Sequence, residues 1–187
     1  MKTKLSTKKI VITGLLAALT VAGSALRITM PLEIAGTTSF HLGNIMCALS
    51  GILLGPWLGG LASGLGSALY DMTNPLYIPE CWITFLTKGA YGLVAGLVIR
   101  SGSNDFGYCK ALLATIGGAV TYAALYLAKS YFYSGLLIHG LAPDAALLTL
   151  VGKLPATVFN AVVAIICAPL LAIAIRKALE KNHLSLE

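Results

Sequence analysis

Apolar residues fall along the chain in six blocks, at about 9–29, 42–54, 57–74, 82–100, 111–134 and 147–175, with polar or Gly/Pro-bearing connections between them. A helix that crosses a bilayer takes about 20 residues, so the blocks predict six membrane helices. The second block is short for a span, and GPWLGG at 55–60 turns the chain sharply into the third. Residues 42–74 therefore read as two short spans in preference to a re-entrant hairpin. The predicted fold class is an all-α integral membrane protein, with residues 1–187 forming a single six-helix membrane domain.

Composition agrees with the pattern. The chain is 57% hydrophobic and 11% charged, with mean hydropathy +0.85. A soluble domain is roughly half apolar and about a quarter charged. A net charge of +6 could suggest nucleic acid, but the basic residues sit mostly beside the apolar blocks, where they report topology instead. With six spans, nine of the thirteen Lys and Arg residues fall on one side: Lys2, Lys4, Lys8, Lys9, Arg100, Lys110, Arg176, Lys177 and Lys181. Both termini are accordingly expected in the cytoplasm. The basic, apolar start resembles a signal peptide, but the alternation of the later loops needs it as a retained span.

Four basic residues remain: Arg27, Lys88, Lys129 and Lys153, each placed within a predicted helix. By residue count the three lysines lie about 8–10 Å below the outer ends of the fourth, fifth and sixth helices. Arg27 and Asp71 sit slightly higher on the first and third. A charge deep in lipid is costly, so such residues face protein or water unless they snorkel. Their neighbours favour a shared polar cavity open to the outside. Tyr122, Tyr126, Lys129 and Tyr133 recur at helical spacing, and so do Thr84, Lys88 and Tyr91, and Lys153, Thr157 and Asn160. Tyr133 also fits the interfacial aromatic belt. Aromatic faces beside cations and an amide suit a flat, polar, partly anionic small molecule. Whether the lysines hold a ligand or pair with Asp71 and Glu80 is open at this level.

The connections could close such a cavity. The first, MPLEIAGTTSFH at about 30–41, is polar, contains Pro31 and Gly36, and ends in His41, a candidate lid contact. NPLYIPEC at 74–81 is stiffened by Pro75 and Pro79, and His139 reads as an ordinary loop residue. The first helix carries small residues four apart at Ala18 and Ala22, which permit close approach of another helix in lipid. Cys47, Cys81, Cys109 and Cys167 are isolated and read as inert thiols, without a metal site. No nucleotide-binding or hydrolase fingerprint occurs, so the chain cannot itself harvest ATP, and no cofactor is expected.

The run FHLGNIMCALSGILLGPWLGGLASGLGSALYD (40–71), TKGAYGLVAGL (87–97), the Ala18/Ala22 spacing and the long first outer loop resemble one family. It is the substrate-binding S components of energy-coupling factor (ECF) transporters, in the branch of riboflavin and hydroxymethylpyrimidine. The resemblance covers nearly the whole chain and implies a non-enzymatic protein of the prokaryotic plasma membrane. Such a subunit binds a vitamin-class small molecule with high affinity, in a cavity built mainly by the last three helices and covered by the first loop. It docks through helix one, here Ala18 and Ala22, onto a membrane coupling protein that carries two ATPase subunits. The expected ligand is a flat heterocycle: pyrimidine, pyridoxine-like, flavin or pterin. Lys88, Lys129, Lys153 and Asn160 are expected to make polar contacts, Tyr91, Tyr122 and Tyr126 to stack, and His41 to belong to the lid. Two other readings are a membrane enzyme gripping a lipid phosphate through the lysines and a solitary vitamin facilitator without ATPases.

Overall fold

The computed structural model describes residues 6–32, 37–102 and 106–182. The expected positions Lys2, Lys4 and Gly36 lie outside them. The described residues form six α-helices: α1 (Thr7–Ala25), α2 (Gly43–Leu54), α3 (Pro56–Met72), α4 (Cys81–Arg100), α5 (Tyr108–Lys129) and α6 (Pro143–Lys181). A 3-10 turn, Ile78–Glu80, leads into α4, and α5 continues as a π-helical stretch, Ser130–Ile138. Among the described residues, four helical segments are long and apolar enough to cross a membrane: Thr7–Ala25, Ile78–Arg100, Tyr108–Ile138 and Pro143–Lys181. At a rise of about 1.5 Å per residue, α2 reaches only about 18 Å, short of a hydrocarbon layer of about 30 Å.

The first helix ends earlier than its apolar block suggests. It stops at Ala25, and residues 27–31 form strand β1 (Arg27–Pro31), paired antiparallel with β2 (Thr37–His41). Arg27 faces His41 across the pair, so it stands on a strand and not within a helix. The β-branched pair Ile28-Thr29 suits an extended chain, and Pro31 ends the strand where a ladder donor is dispensable. The fifth and sixth helical segments are also longer than their blocks, reaching Ile138 and running from Pro143 to Lys181. Pro155 and Pro169 are accommodated inside α6.

Small residues let α2, α3 and α4 approach closely. A Cβ on Gly92 would lie 2.4 Å from Ser63 Oγ and 2.6 Å from the Gly59 carbonyl oxygen; one on Gly59 would lie 2.5 Å from Gly51 Cα. Lipid offers no hydrophobic drive for helices to associate, so such contact supplies the dispersion energy that holds them together. Ser63 Oγ donates across the seam to the Cys47 carbonyl at 3.1 Å. Between α2 and α3, Gly55 adopts φ +80°, a left-handed conformation that glycine takes without strain. Arg100 fills the space beside it and donates from Nη2 to the Leu54 carbonyl at 3.1 Å, satisfying an orphan acceptor at the end of α2.

Candidate functional site

A cavity of about 330 Å³ lies under the β1–β2 hairpin. Its roof is Arg27, residues 37–39 and His41, and its walls come from Asp71 on α3, Tyr77 and Glu80, α4, α5 and α6. The volume falls at the lower end of the range of small-molecule sites.

α4 contributes Thr84 and Lys88, one turn apart. Lys88 is only 5% exposed. Its ammonium donates to Asn44 Oδ1 of α2 and lies 3.9 Å from the centroid of the Tyr122 ring, a cation–π contact. α5 contributes Tyr122, Tyr126 and Lys129 at spacings of four and three. The Tyr122 and Tyr126 rings stack at 5.7 Å between centroids and 25° between planes. Lys129 pairs with Glu80, whose other oxygen accepts from Ser134 Oγ at 3.0 Å. α6 contributes Lys153, Thr157 and Asn160 on one face, all buried. Lys153 donates to Ser130 Oγ at 3.3 Å and lies 5.8 Å from the Tyr126 centroid.

Seven of the eight residues read from the sequence as ligand contacts therefore line one cavity. Tyr91 does not. It is fully buried behind Tyr122, with centroids 6.1 Å apart, and its hydroxyl has no hydrogen-bond partner among the described residues. A ring at that position packs against Tyr122 outside the cavity lining. Tyr133 also leaves the stripe, because the π-helical stretch shifts the register after Lys129. It meets Trp82 edge-on at 6.0 Å.

The lysine layer is deeper than a count from the apolar blocks gives. Lys88 and Lys153 lie ten residues from Ile78 and Pro143, and Lys129 lies nine from Ile138. That places the Lys88 and Lys153 backbones about 15 Å along their helices from the hairpin end, with Lys129 nearer, because a π-helical stretch rises less per residue than an α-helix. The count from the blocks falls short because each of these segments extends further toward the hairpin than its apolar block. The side chains then part, Lys129 toward Glu80 and Lys88 toward α2.

Asn160 has a role the sequence does not reveal. Its Oδ1 accepts the His41 backbone N–H at 2.9 Å, and its Nδ2 donates to the Ser39 carbonyl at 2.8 Å. Residues 39 and 41 present these groups on the edge of β2 away from β1, so the carboxamide pairs with that edge as a third strand's peptide would. Phe40 adds an edge-to-face contact with Phe159 at 5.1 Å. His41 Nδ1 accepts the Gly43 N–H at 3.2 Å. Burial, then the fields of Lys88 and Arg27, hold this imidazole well below its ordinary pKa. At neutral pH His41 is therefore uncharged.

Arg27, read from the sequence as part of the charge layer, also lines the cavity, and its guanidinium lies 4.5 and 4.7 Å from the Tyr70 and Tyr77 ring centroids. His139, read as ordinary loop, lines the cavity. On α1, Ala18 and Ala22 are both exposed, as is Gly14, where an added methyl would meet nothing within 4 Å.

Residues 4–177 match the family described as ECF-type riboflavin transporter, S component. An uncharacterized protein of Pyrococcus woesei is 32% identical over 118 residues, 63% of this chain and 74% of that one. A UPF0397 protein of Streptococcus gordonii is 35% identical over 96 residues, and the match spans about half of each chain, 51% and 49%. The crystal structure of an S-component for biotin from an ECF-type ABC transporter shares the fold, with TM-score 0.58 at 16% identity over 91% of this chain and 94% of that one. With its apolar helices and the cavity beneath the hairpin, the chain belongs to the family of ECF-type riboflavin transporter S components, multi-pass membrane proteins of vitamin uptake that are not enzymes.

Proposed function

We propose that this chain is the high-affinity substrate-binding subunit of an ATP-driven ECF importer for a vitamin or related planar heterocycle. The observation that carries the reading is the stacked Tyr122–Tyr126 platform, flanked by Lys88 and Lys153 and roofed by the hairpin. A flat ring would lie against the tyrosines, its heteroatoms would meet Lys88 and Lys153, and the hairpin would exclude water over it. Riboflavin, named in the family description, is such a flat heterocycle, whereas biotin, named for the fold neighbour, is a vitamin with a puckered bicyclic ring.

In this reading residues 1–187 form one six-helix domain with both termini cytoplasmic and the cavity open outward. The exposed stripe of Gly14, Ala18 and Ala22 on α1 is the face for a membrane coupling protein that carries two ATPases. Small residues there let a partner helix approach closely. Uptake of labelled vitamins into cells that co-express the coupling module tests the proposal. Ala18→Trp with Ala22→Trp is expected to abolish uptake while ligand binding by the purified chain persists. Uptake that continues without the coupling module, or that survives the double substitution, would refute the docking assignment.

A further inference from the structure

Four cationic side chains line the cavity, Arg27, Lys88, Lys129 and Lys153, against two carboxylates, Asp71 and Glu80. Glu80 is bonded to Lys129, and its field also reaches Lys153. Asp71 lies in the fields of Arg27 and Lys88 and can balance one of them. Neutral His41 adds no charge. Among the described residues the site thus holds more positive than negative charge, whichever way the ions are paired.

The surplus has a definite location. Lys153 is 6% exposed and faces the cavity, and its hydrogen-bond partner, the Ser130 hydroxyl, is neutral. Among the described residues no carboxylate lies within ion-pair distance of it. Lys88 likewise has a neutral amide and a ring as partners, but these clasp its ammonium at the floor of the site. Lys153 is the less completely held of the two, with donors left for a ligand. A buried ammonium without a directly bonded anion retains part of its desolvation cost, and a negative group brought by the ligand offsets it.

We infer that the natural ligand is an anion, a planar heterocycle bearing a carboxylate or a phosphate, and that its negative group sits on Lys153 beside Ser130 while its ring lies on Tyr126. The inference deepens the proposed function and rests on the same cavity. It separates ligands that the fold alone does not: riboflavin is uncharged, whereas biotin carries a carboxylate.

Matched pairs that differ only in the negative group test it. Purified chain is titrated calorimetrically with nicotinamide and nicotinate, biotin amide and biotin, riboflavin and flavin mononucleotide, and pyridoxine and pyridoxine 5′-phosphate. The first two pairs probe a carboxylate, the last two a phosphate. In at least one pair the anionic member is expected to bind about tenfold tighter or more, as a charge-assisted hydrogen bond in a dry site provides. Lys153→Gln is expected to bring that ratio close to one, and Lys153→Arg to keep it. Because each ratio is taken within a single variant, partial loss of folded protein does not affect it. Submicromolar binding of a neutral member with no preference for its anionic counterpart would overturn the inference and leave the S-component reading standing. An anion preference that survives Lys153→Gln would overturn the assignment to Lys153. Failure of every pair to bind, with no compound co-purifying, would overturn both the inference and the proposed function.

Discussion

Asn160→Ala removes the clasp between the hairpin and α6 at one atom pair on each side. Two neutral hydrogen bonds are lost, the His41 N–H to Oδ1 at 2.9 Å and Nδ2 to the Ser39 carbonyl at 2.8 Å. Each is worth about 1 kcal/mol net, so the closed hairpin loses about 2 kcal/mol, or about thirtyfold in its opening equilibrium. The Phe40–Phe159 contact remains and keeps the hairpin near its seat. Hydrogen exchange of the detergent-solubilised chain, read on a peptide covering 37–43, is the assay. The His41 amide is expected to exchange about thirtyfold faster in the variant, while peptides from α3 and α4 are unchanged. Unchanged protection of the His41 amide in a variant with normal thermal stability would refute the clasp. Residue 160 would then return to the role of a simple ligand contact.

Three further outcomes follow from the same structure. His41 is held neutral in the closed hairpin, its pKa depressed chiefly by burial; the open state takes up a proton first, near the ordinary value of about 6.5. Hairpin protection is therefore full above that pH and falls below it, and His41→Asn should flatten the profile; protection rising on acidification would contradict the assignment. Lys129→Met strands Glu80, and since the pair is 14% and 28% exposed the cost is about 1–2 kcal/mol, read as a lower melting temperature. Adding Glu80→Gln to that variant should recover part of the loss. Gly92→Ala forces a methyl against Ser63 and Gly59 and should destabilise by about 1–3 kcal/mol, whereas Gly14→Ala, with open space around it, should leave the melting temperature unchanged or raise it.

The helical body was legible because membrane helices announce themselves by length and composition. The blocks at 42–54 and 82–100 correspond closely to α2 (Gly43–Leu54) and α4 (Cys81–Arg100). The hairpin was not legible. Ile28 to Pro31 are as apolar as the helix before them, and what makes them a strand is pairing with β2, whose other edge is satisfied by a side chain 119 residues away from His41. The same distance hid the role of Asn160: a local stripe with Lys153 and Thr157 indicates which face is polar, and not what it holds. Helical spacing found Tyr122, Tyr126 and Lys129, then failed at Tyr133, where the π-helical stretch changes the repeat. Tyr91 shared a face with Thr84 and Lys88, but its ring falls behind Tyr122, a packing outcome that depends on a second helix. Charge pairing was partly readable: Glu80 was a named candidate partner and meets Lys129, leaving Lys153 without a carboxylate within ion-pair distance among the described residues.

The central claim is that the hairpin-covered cavity retains a small heterocycle. Native mass spectrometry of the chain, purified without added ligand from cells grown in rich medium, tests it most directly. The account predicts a one-to-one adduct of vitamin-like mass that is lost in a Tyr126→Ala, Lys153→Gln variant that keeps its melting temperature. A chain that carries no adduct and binds no member of a vitamin panel at submicromolar concentration would contradict it.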